Sequence, residues 1–127
     1  MLRDTDAVAT VAVKDLDVAG RFYEETLGLS RADAEDAEDN ETIVFESGDT
    51  TINVYRSSFA GTNRATALTW AFDDVNDVVR TLKSKGVTFE HYDLPDTRRE
   101  GDVHVSGDIK VAWFKDPDGN ILSVVNR

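Results

Sequence analysis

Few side chains in this sequence carry acid–base, nucleophilic or metal-binding chemistry in a recognisable spacing. The chain contains no cysteine, which excludes disulfides, thiolate nucleophiles and thiolate metal ligands. Its two histidines, His91 and His104, lie thirteen residues apart, without the helical spacing of a paired ligand set. A structural role is the favoured interpretation of each. His104 is the better functional candidate, because we expect it in a long connection from Leu94 to Asp108, and such loops often act as lids or binding elements.

The charge of the chain is strongly acidic, with 25 acidic against 14 basic residues and a formal net charge of −11. Such a field repels nucleic acid and anionic membranes, so neither is expected as a partner. The densest acidic run, Asp33 to Glu41, is either a solvated loop or strand edge, or a patch that attracts cations. It lacks the glycine and the oxygen spacing of a calcium loop. Arg98 and Arg99 either neutralise neighbouring acids or receive an anionic ligand group.

The elements that must position these residues occur twice. The segments Val11–Gly28 and Ala71–Gly86 each read as a strand, an Asp that begins a helix, an amphipathic helix and a Gly that ends it. In the second copy, apolar residues follow the i, i+3, i+4, i+7 pattern of a helix between positions 75 and 82. Three short strands are predicted after each helix. Each copy is therefore a strand, a helix and three strands.

The length of 127 residues predicts a single domain, residues 1–127. Module one covers about residues 7–57 and module two about residues 66–127. A half of about 60 residues would be marginal alone, so we expect the halves to share a core. No run approaches the roughly 18–20 apolar residues of a membrane span, and residues 1–4 begin no signal peptide. A cytoplasmic protein is expected.

Several short motifs, in this order and spacing, resemble the vicinal oxygen chelate (VOC) superfamily, which includes glyoxalase I, extradiol dioxygenases, fosfomycin-modifying enzymes and bleomycin-resistance proteins. The motifs are residues 13–17 (VKDLD), Phe22-Tyr23, residues 27–29 (LGL), residues 73–75 (DDV) and residues 114–120 (FKDPDGN). The resemblance implies an α+β fold of two βαβββ modules that form an open, curled, eight-stranded mixed sheet around a cleft. It also implies a homodimer.

By similarity, metal-dependent members of that family would hold their ligands at Val8, Asn53, Ala67 and Ser123 of this chain. None of these four residues supplies an imidazole or a carboxylate, the usual donors to zinc, iron or manganese in such sites. We therefore expect no metal at the family's usual place, and no cofactor.

Strand alternation predicts which side chains share the cleft face, because residues i, i+2 and i+4 of a strand point the same way. On that face the polar residues are Thr10, Asn53, Tyr55, Thr69 and Ser123, and Ala67, Thr69 and Ala71 share it in the fifth strand. Either Trp113 or Phe114 faces the cleft, and the sequence leaves this open. The face suits a small molecule, since it combines an apolar wall with a few polar groups. A partly filled structural cavity is the alternative.

Three functional classes follow. The leading hypothesis is metal-independent binding of a small apolar or aromatic molecule, without catalysis, by a homodimer of the bleomycin-resistance type. Its ligand-binding residues are predicted to be Thr10, Asn53, Tyr55, Thr69, Trp113, Ser123 and His104. The alternative is a glyoxalase-like lyase, isomerase or dioxygenase that uses unrecognised metal ligands or no metal, with His104 or Glu100 as the candidate acid or base. The third is an interaction module without a ligand.

Overall fold

The computed structural model describes residues 1–32 and 41–126. The chain divides into two compact units, Met1–Gly61 and Thr62–Arg127, and each is described by itself. Apart from Glu41, the predicted acidic run lies outside the described residues. Among the helices described, none is long and apolar enough to cross a membrane.

The first unit is a four-stranded mixed sheet with one helix. Its strands occur in the spatial order β1-β4-β3-β2, with β1 and β4 parallel and the other pairs antiparallel. The elements are a 3₁₀ turn Leu2–Asp4, β1 Ala9–Val13, α1 Leu16–Arg21 continued by a π-helical turn Phe22–Thr26, β2 Ser30–Arg31, β3 Thr42–Ser47 and β4 Thr50–Arg56.

Helix α1 begins where the sequence predicts, because the Asp15 carboxylate accepts hydrogen bonds from the backbone N–H groups of Asp17 and Val18 at 2.9 and 3.2 Å. The helix contacts β3 and β4. Beneath it, the alternate strand residues Val11, Val13, Ile52 and Val54 are buried with Phe45 and Tyr23. One face of this sheet therefore forms the core of the unit.

The second unit repeats this arrangement with a larger mixed sheet. The spatial order is β5-β10-β9-β8-β7, β6 also pairs with β9, and only β5 and β10 are parallel among these described pairs. The elements are β5 Thr66–Phe72, α2 Val75–Ser84, β6 Phe89–Glu90, β7 Arg98–Glu100, β8 Val103–Ser106, β9 Ile109–Lys115 and β10 Ile121–Asn126.

The predicted helix and its limits are confirmed in this unit too. The Asp74 carboxylate accepts a hydrogen bond from the backbone N–H of Asp77 at 3.1 Å, and Gly86 follows the helix with a φ of 94°. The expected α+β class is therefore confirmed, with one mixed sheet in each unit.

The predicted long connection from Leu94 to Asp108 is wrong. It contains the antiparallel strands β7 and β8, which turn at Gly101 (φ 64°) and add to the eight strands expected. Strand β8 forms because Val103 and Val105 are both buried on one face, and His104 between them lies on the other. His104 is thus a strand residue with 1% of its surface exposed, rather than part of a lid.

A tight turn from Asp116 to Asn120 joins β9 to β10, as the Asp-Pro-Asp-Gly-Asn motif predicts. The Asp116 carboxylate is 4% exposed and accepts hydrogen bonds from the backbone N–H groups of Asp118 and Asn120 and from the Asn120 side-chain amide. Gly119 has a φ of 89°, which glycine adopts without strain. The buried carboxylate therefore fixes the length of the turn and, with it, the pairing of β9 and β10.

Asp102, between β7 and β8, links three segments of the second unit through its side-chain carboxylate. Its carboxylate lies 2.7 Å from Lys83 Nζ on α2 and 2.7 Å from His91 Nε2, just after β6. The hydrogen bond from Lys83, and then that from His91, lower the pKa of Asp102 below its ordinary value against the opposing effect of burial.

We predict that Asp102→Asn lowers the free energy of unfolding by about 0.5–1 kcal/mol at neutral pH, since both partners, Lys83 and His91, are half exposed. Because the pKa of Asp102 is lower in the folded than in the unfolded chain, this stabilisation is complete above the unfolded pKa and disappears as the pH falls through the folded pKa. Urea unfolding from neutral to strongly acidic pH measures the difference. Asp49→Asn, at an exposed turn, is the control. A difference that persists at strongly acidic pH would contradict this assignment.

Candidate functional site

The sheet of the second unit has two chemically different faces. On one face, Phe114, Leu122 and Val124 are buried, and Phe114 packs against Phe89 with ring centroids 5.7 Å apart. Helix α2 contacts the same strands, β8, β9 and β10. On the other face, Trp113 lies opposite Ser123 of β10 and Glu90 of β6. Trp113 therefore points away from the core, and Phe114 is the core residue.

Three rings on this second face form a cluster, Trp113, Tyr92 and His104, which we call the aromatic cluster. The Trp113 ring centroid lies 5.2 Å from that of Tyr92 and 4.9 Å from that of His104, with interplanar angles of 71° and 76°. These are the edge-to-face arrangements that aromatic rings favour. The Trp113 indole N–H donates to the Thr66 hydroxyl at 3.1 Å, and the side chain is only half-buried. Part of a flat aromatic surface thus remains available.

Two polar atoms of the aromatic cluster are buried without a hydrogen-bond partner in the described part of the chain, Tyr92 Oη and His104 Nδ1. The other imidazole nitrogen, His104 Nε2, accepts a hydrogen bond from the Tyr92 backbone N–H at 2.9 Å. The hydrogen-bond pattern therefore assigns the proton of a neutral imidazole to Nδ1, which makes Nδ1–H a donor.

The environment of Tyr92 keeps its phenol protonated. Burial raises the pKa of Tyr92, the Glu90 carboxylate raises it further, and the Lys115 ammonium opposes them. Lys115 Nζ lies 3.1 Å from Glu90 Oε1, so the two charges largely offset each other. The phenolic O–H is consequently a second neutral donor next to the imidazole.

Beside the aromatic cluster, the Thr69 and Ser123 hydroxyls form a hydrogen bond of 2.8 Å across β5 and β10. Ser123 is 3% exposed, whereas Thr69 is exposed. The structure therefore brings four of the predicted ligand-binding residues to one face of one sheet: Thr69, Trp113, Ser123 and His104.

The prediction that Ala67, Thr69 and Ala71 alternate regularly on one face is wrong at Ala67. The pairing of β5 with β10 shifts there, since Ile121 lies opposite Thr66 and the next residue, Leu122, lies opposite Leu68. One extra residue in β5 reverses the alternation on its N-terminal side. Thr66, rather than Ala67, thus reaches the Trp113 indole.

The other three predicted ligand-binding residues lie together in the first unit. Thr10 is opposite Asn53 in the parallel pairing of β1 and β4, and Ala12 is opposite Tyr55. Thr10 and Tyr55 are exposed and Asn53 is half-buried. They share the face that points away from the buried Val11 and Val54.

The residues at the positions implied for metal ligands do not fit a metal site of the usual family type. Val8 and Ala67 have no donor atom, and the Ser123 hydroxyl is hydrogen-bonded to Thr69. Across residues 1–32 and 41–126, no three His, Cys, Asp or Glu side chains group so that they could hold a metal ion. We derive no chemistry through a metal.

Arg98 and Arg99 differ in their surroundings. Arg98 forms an ion pair with Glu100 at 3.1 Å, as expected of a residue that neutralises a neighbouring acid. Arg99 is exposed and lies opposite His104 in the pairing of β7 with β8. Its predicted contact with an anionic ligand group stays a prediction.

Comparison with protein families identifies the chain. The family model described as the Glyoxalase/Bleomycin resistance protein/Dioxygenase superfamily matches residues 6–124. The chain belongs to this superfamily. The resemblance to the VOC superfamily is thereby confirmed. A search of curated proteins gives no match.

Solved structures of the superfamily share the fold. A superfamily member from Sphaerobacter thermophilus is 22% identical over 97% of each chain, with a TM-score of 0.68. A bleomycin-binding protein complexed with bleomycin is 19% identical over 97% of this chain and 98% of that chain, with a TM-score of 0.69. A genomically encoded fosfomycin resistance protein from Listeria monocytogenes is 15% identical, with coverages of 97% and 93% and a TM-score of 0.70. At these identities the likeness concerns the fold alone.

Sequence reasoning missed Tyr92 and Thr66 as members of the site. The sequence does contain a signal for Tyr92. Phe89 is apolar and faces the core, and in an extended segment Glu90 and Tyr92 point to the opposite face. No comparable signal identified Thr66, because its face depends on the extra residue in β5.

We predict that Thr66→Val releases the Trp113 indole N–H to water with a cost in stability below about 1 kcal/mol, because the hydrogen bond is exposed. The protein has two tryptophans, so a ¹H–¹⁵N NMR spectrum shows two indole resonances. The Trp113 resonance should shift and exchange faster with water, and that of Trp70 should stay. Thr88→Val, at an exposed position before β6, is the control. An unchanged Trp113 resonance would contradict the assigned bond.

Proposed function

We propose that this superfamily member binds a small apolar or aromatic molecule, without a metal ion and without transforming it. The observation that carries the proposal is the aromatic cluster, in which the half-buried Trp113 presents a flat surface on a sheet face away from the core. Apolar and aromatic walls with a few placed polar groups are typical of small-molecule sites.

The polar groups near the aromatic cluster support a binding role. The Thr66 hydroxyl accepts the indole hydrogen bond, and Ser123, which is hydrogen-bonded to Thr69, lies opposite Trp113 in the sheet. In the first unit, Thr10, Asn53 and Tyr55 present comparable neutral groups on one face, and we assign them to ligand binding as well. The fold shared with a bleomycin-binding protein complexed with bleomycin is consistent with such a role.

The enzymatic alternative depends on His104 or Glu100, and neither is well placed as a base. His104 Nε2 accepts the Tyr92 backbone hydrogen bond, and the Glu100 carboxylate is exposed and paired with Arg98. A general base needs a free lone pair within hydrogen-bond reach of the substrate proton. These contacts favour the binding role. The single domain, the homodimer and the cytoplasmic location stay predictions.

We predict that ethylbenzene, a simple aromatic probe, shifts the Trp113 indole resonance in an NMR titration. Trp113→Leu should weaken binding about tenfold, equivalent to ~1.4 kcal/mol, because the flat surface is lost. Since this variant has no Trp113 resonance, isothermal titration calorimetry measures the affinity of the wild type and of each variant. Trp70→Leu is the matched control, since Trp70 is also half-buried but pairs opposite Val124 on the helix-facing side. A metal chelator should leave the affinity unchanged.

Two results would overturn the proposal. One is the absence of saturable binding by the probe, measured also with acetophenone as a second aromatic compound. The other is binding that disappears with the chelator and returns with a divalent metal, which would assign the site to a metal-dependent activity.

A further inference from the structure

The aromatic cluster contains two buried donors that the packing of the second unit does not use. His104 is 1% exposed, and its Nε2 is occupied by the Tyr92 backbone N–H, which leaves the proton on Nδ1. Within the described residues, neither Nδ1 nor the Tyr92 hydroxyl has a hydrogen-bond partner. Buried polar groups in folded proteins are nearly always paired, so two orphans in adjacent rings call for an explanation.

The two rings that carry these unpaired donors are neighbours. The ring centroids of Tyr92 and His104 are 6.1 Å apart with an interplanar angle of 30°, and both rings contact Trp113. The Trp113 indole packs edge-to-face against both rings and donates a hydrogen bond to the exposed Thr66. Binding on this face is therefore expected to move the indole and to open the two donors to a ligand.

We propose that His104 Nδ1–H and the Tyr92 hydroxyl donate hydrogen bonds to a carbonyl oxygen of the bound ligand, which assigns the ligand to the aromatic carbonyl compounds. The inference rests on the proposed function, and it names the chemical class of the molecule that the aromatic cluster binds. The ring of such a compound packs on Trp113, and its carbonyl group satisfies the buried donors.

A neutral acceptor fits this position better than an anion. Both donors are uncharged, and the Glu90 carboxylate that disfavours ionisation of Tyr92 equally disfavours a ligand anion beside it. Lys115 is held by Glu90 at 3.1 Å and is only partly available to offset a further negative charge. Burying an unpaired charge costs far more than burying a neutral carbonyl that is hydrogen-bonded.

The test compares three probes of similar shape, acetophenone, ethylbenzene and benzoate, on the wild-type protein and on Tyr92→Phe. Acetophenone has a carbonyl group where ethylbenzene has a methylene group, and Tyr92→Phe removes one hydroxyl. The ratio of the two affinities therefore isolates the proposed hydrogen bond. We expect Tyr92→Phe to lower the affinity for acetophenone about fivefold relative to the affinity for ethylbenzene, which is the effect of one ordinary hydrogen bond.

The outcomes separate this inference from the proposed function. If Tyr92→Phe lowers the affinities for acetophenone and ethylbenzene equally, or lowers neither, the carbonyl assignment is overturned and aromatic binding stays intact. Absence of binding by any of the three probes would overturn both. If benzoate binds more tightly than acetophenone, and Arg99→Gln abolishes that preference, the ligand belongs to an anionic class instead of the carbonyl class.

A second measurement needs no ligand. If the Tyr92 hydroxyl forms a hydrogen bond only with the ligand, Tyr92→Phe removes an unsatisfied buried group from the ligand-free protein. Its melting temperature should then stay the same or rise. If the hydroxyl instead holds a structural water, the variant should melt several degrees lower. That lower melting temperature would overturn the inference.

Discussion

The pairing of β9 with β10 is the constraint on which the candidate site depends. It is set by the Asp116 carboxylate, which is buried in the turn and bonded to the Asp118 and Asn120 backbones and to the Asn120 amide. With this turn length, Trp113 lies opposite Ser123, and Phe114 lies opposite Leu122 in the core. A shift by one residue would exchange the two aromatic faces. A buried acidic side chain in the turn thus determines which aromatic ring is presented.

Near the aromatic cluster one carboxylate and one ammonium offset each other, and the exposed Arg99 lies opposite His104, although the protein as a whole is strongly acidic. Glu90 is paired with Lys115, and the donors that face the cluster are a phenol, an imidazole and hydroxyl groups. A site of this kind gains little from long-range electrostatic attraction. Its selectivity must come from aromatic contact and from hydrogen bonds made away from water, which favour neutral, planar molecules.

The predictable parts of the fold are those determined by local chemistry. Asp15 and Asp74 begin helices because a carboxylate caps free backbone N–H groups, and the Asp116 turn follows from the residue types of its five positions. The strands β7 and β8 were locally encoded as well, by the alternation around His104 and by Gly101. A sequence-based prediction nevertheless favours a loop there, because polar residues dominate the segment.

The site itself was only partly predictable. Alternation placed Thr69 and Ser123 correctly on one face, but it failed at Ala67, where an irregularity in the β5–β10 pairing involves partners from distant parts of the chain. Such an irregularity is set by tertiary pairing, and a single sequence does not contain it in a local pattern. The direction of Trp113 depends instead on the register of the Asp116 turn, which the residue types leave uncertain by one residue and the hydrogen bonds of the buried carboxylate fix.

The most direct test of the central claim is native mass spectrometry of gently purified full-length protein, because one spectrum reports bound metal, bound small molecules and the number of subunits. Metal-independent binding of an organic ligand predicts a population that carries an organic adduct and no metal ion. A stoichiometric transition metal on every chain would contradict this account, since it would mean that metal ligands exist which neither the sequence nor the described structure reveals.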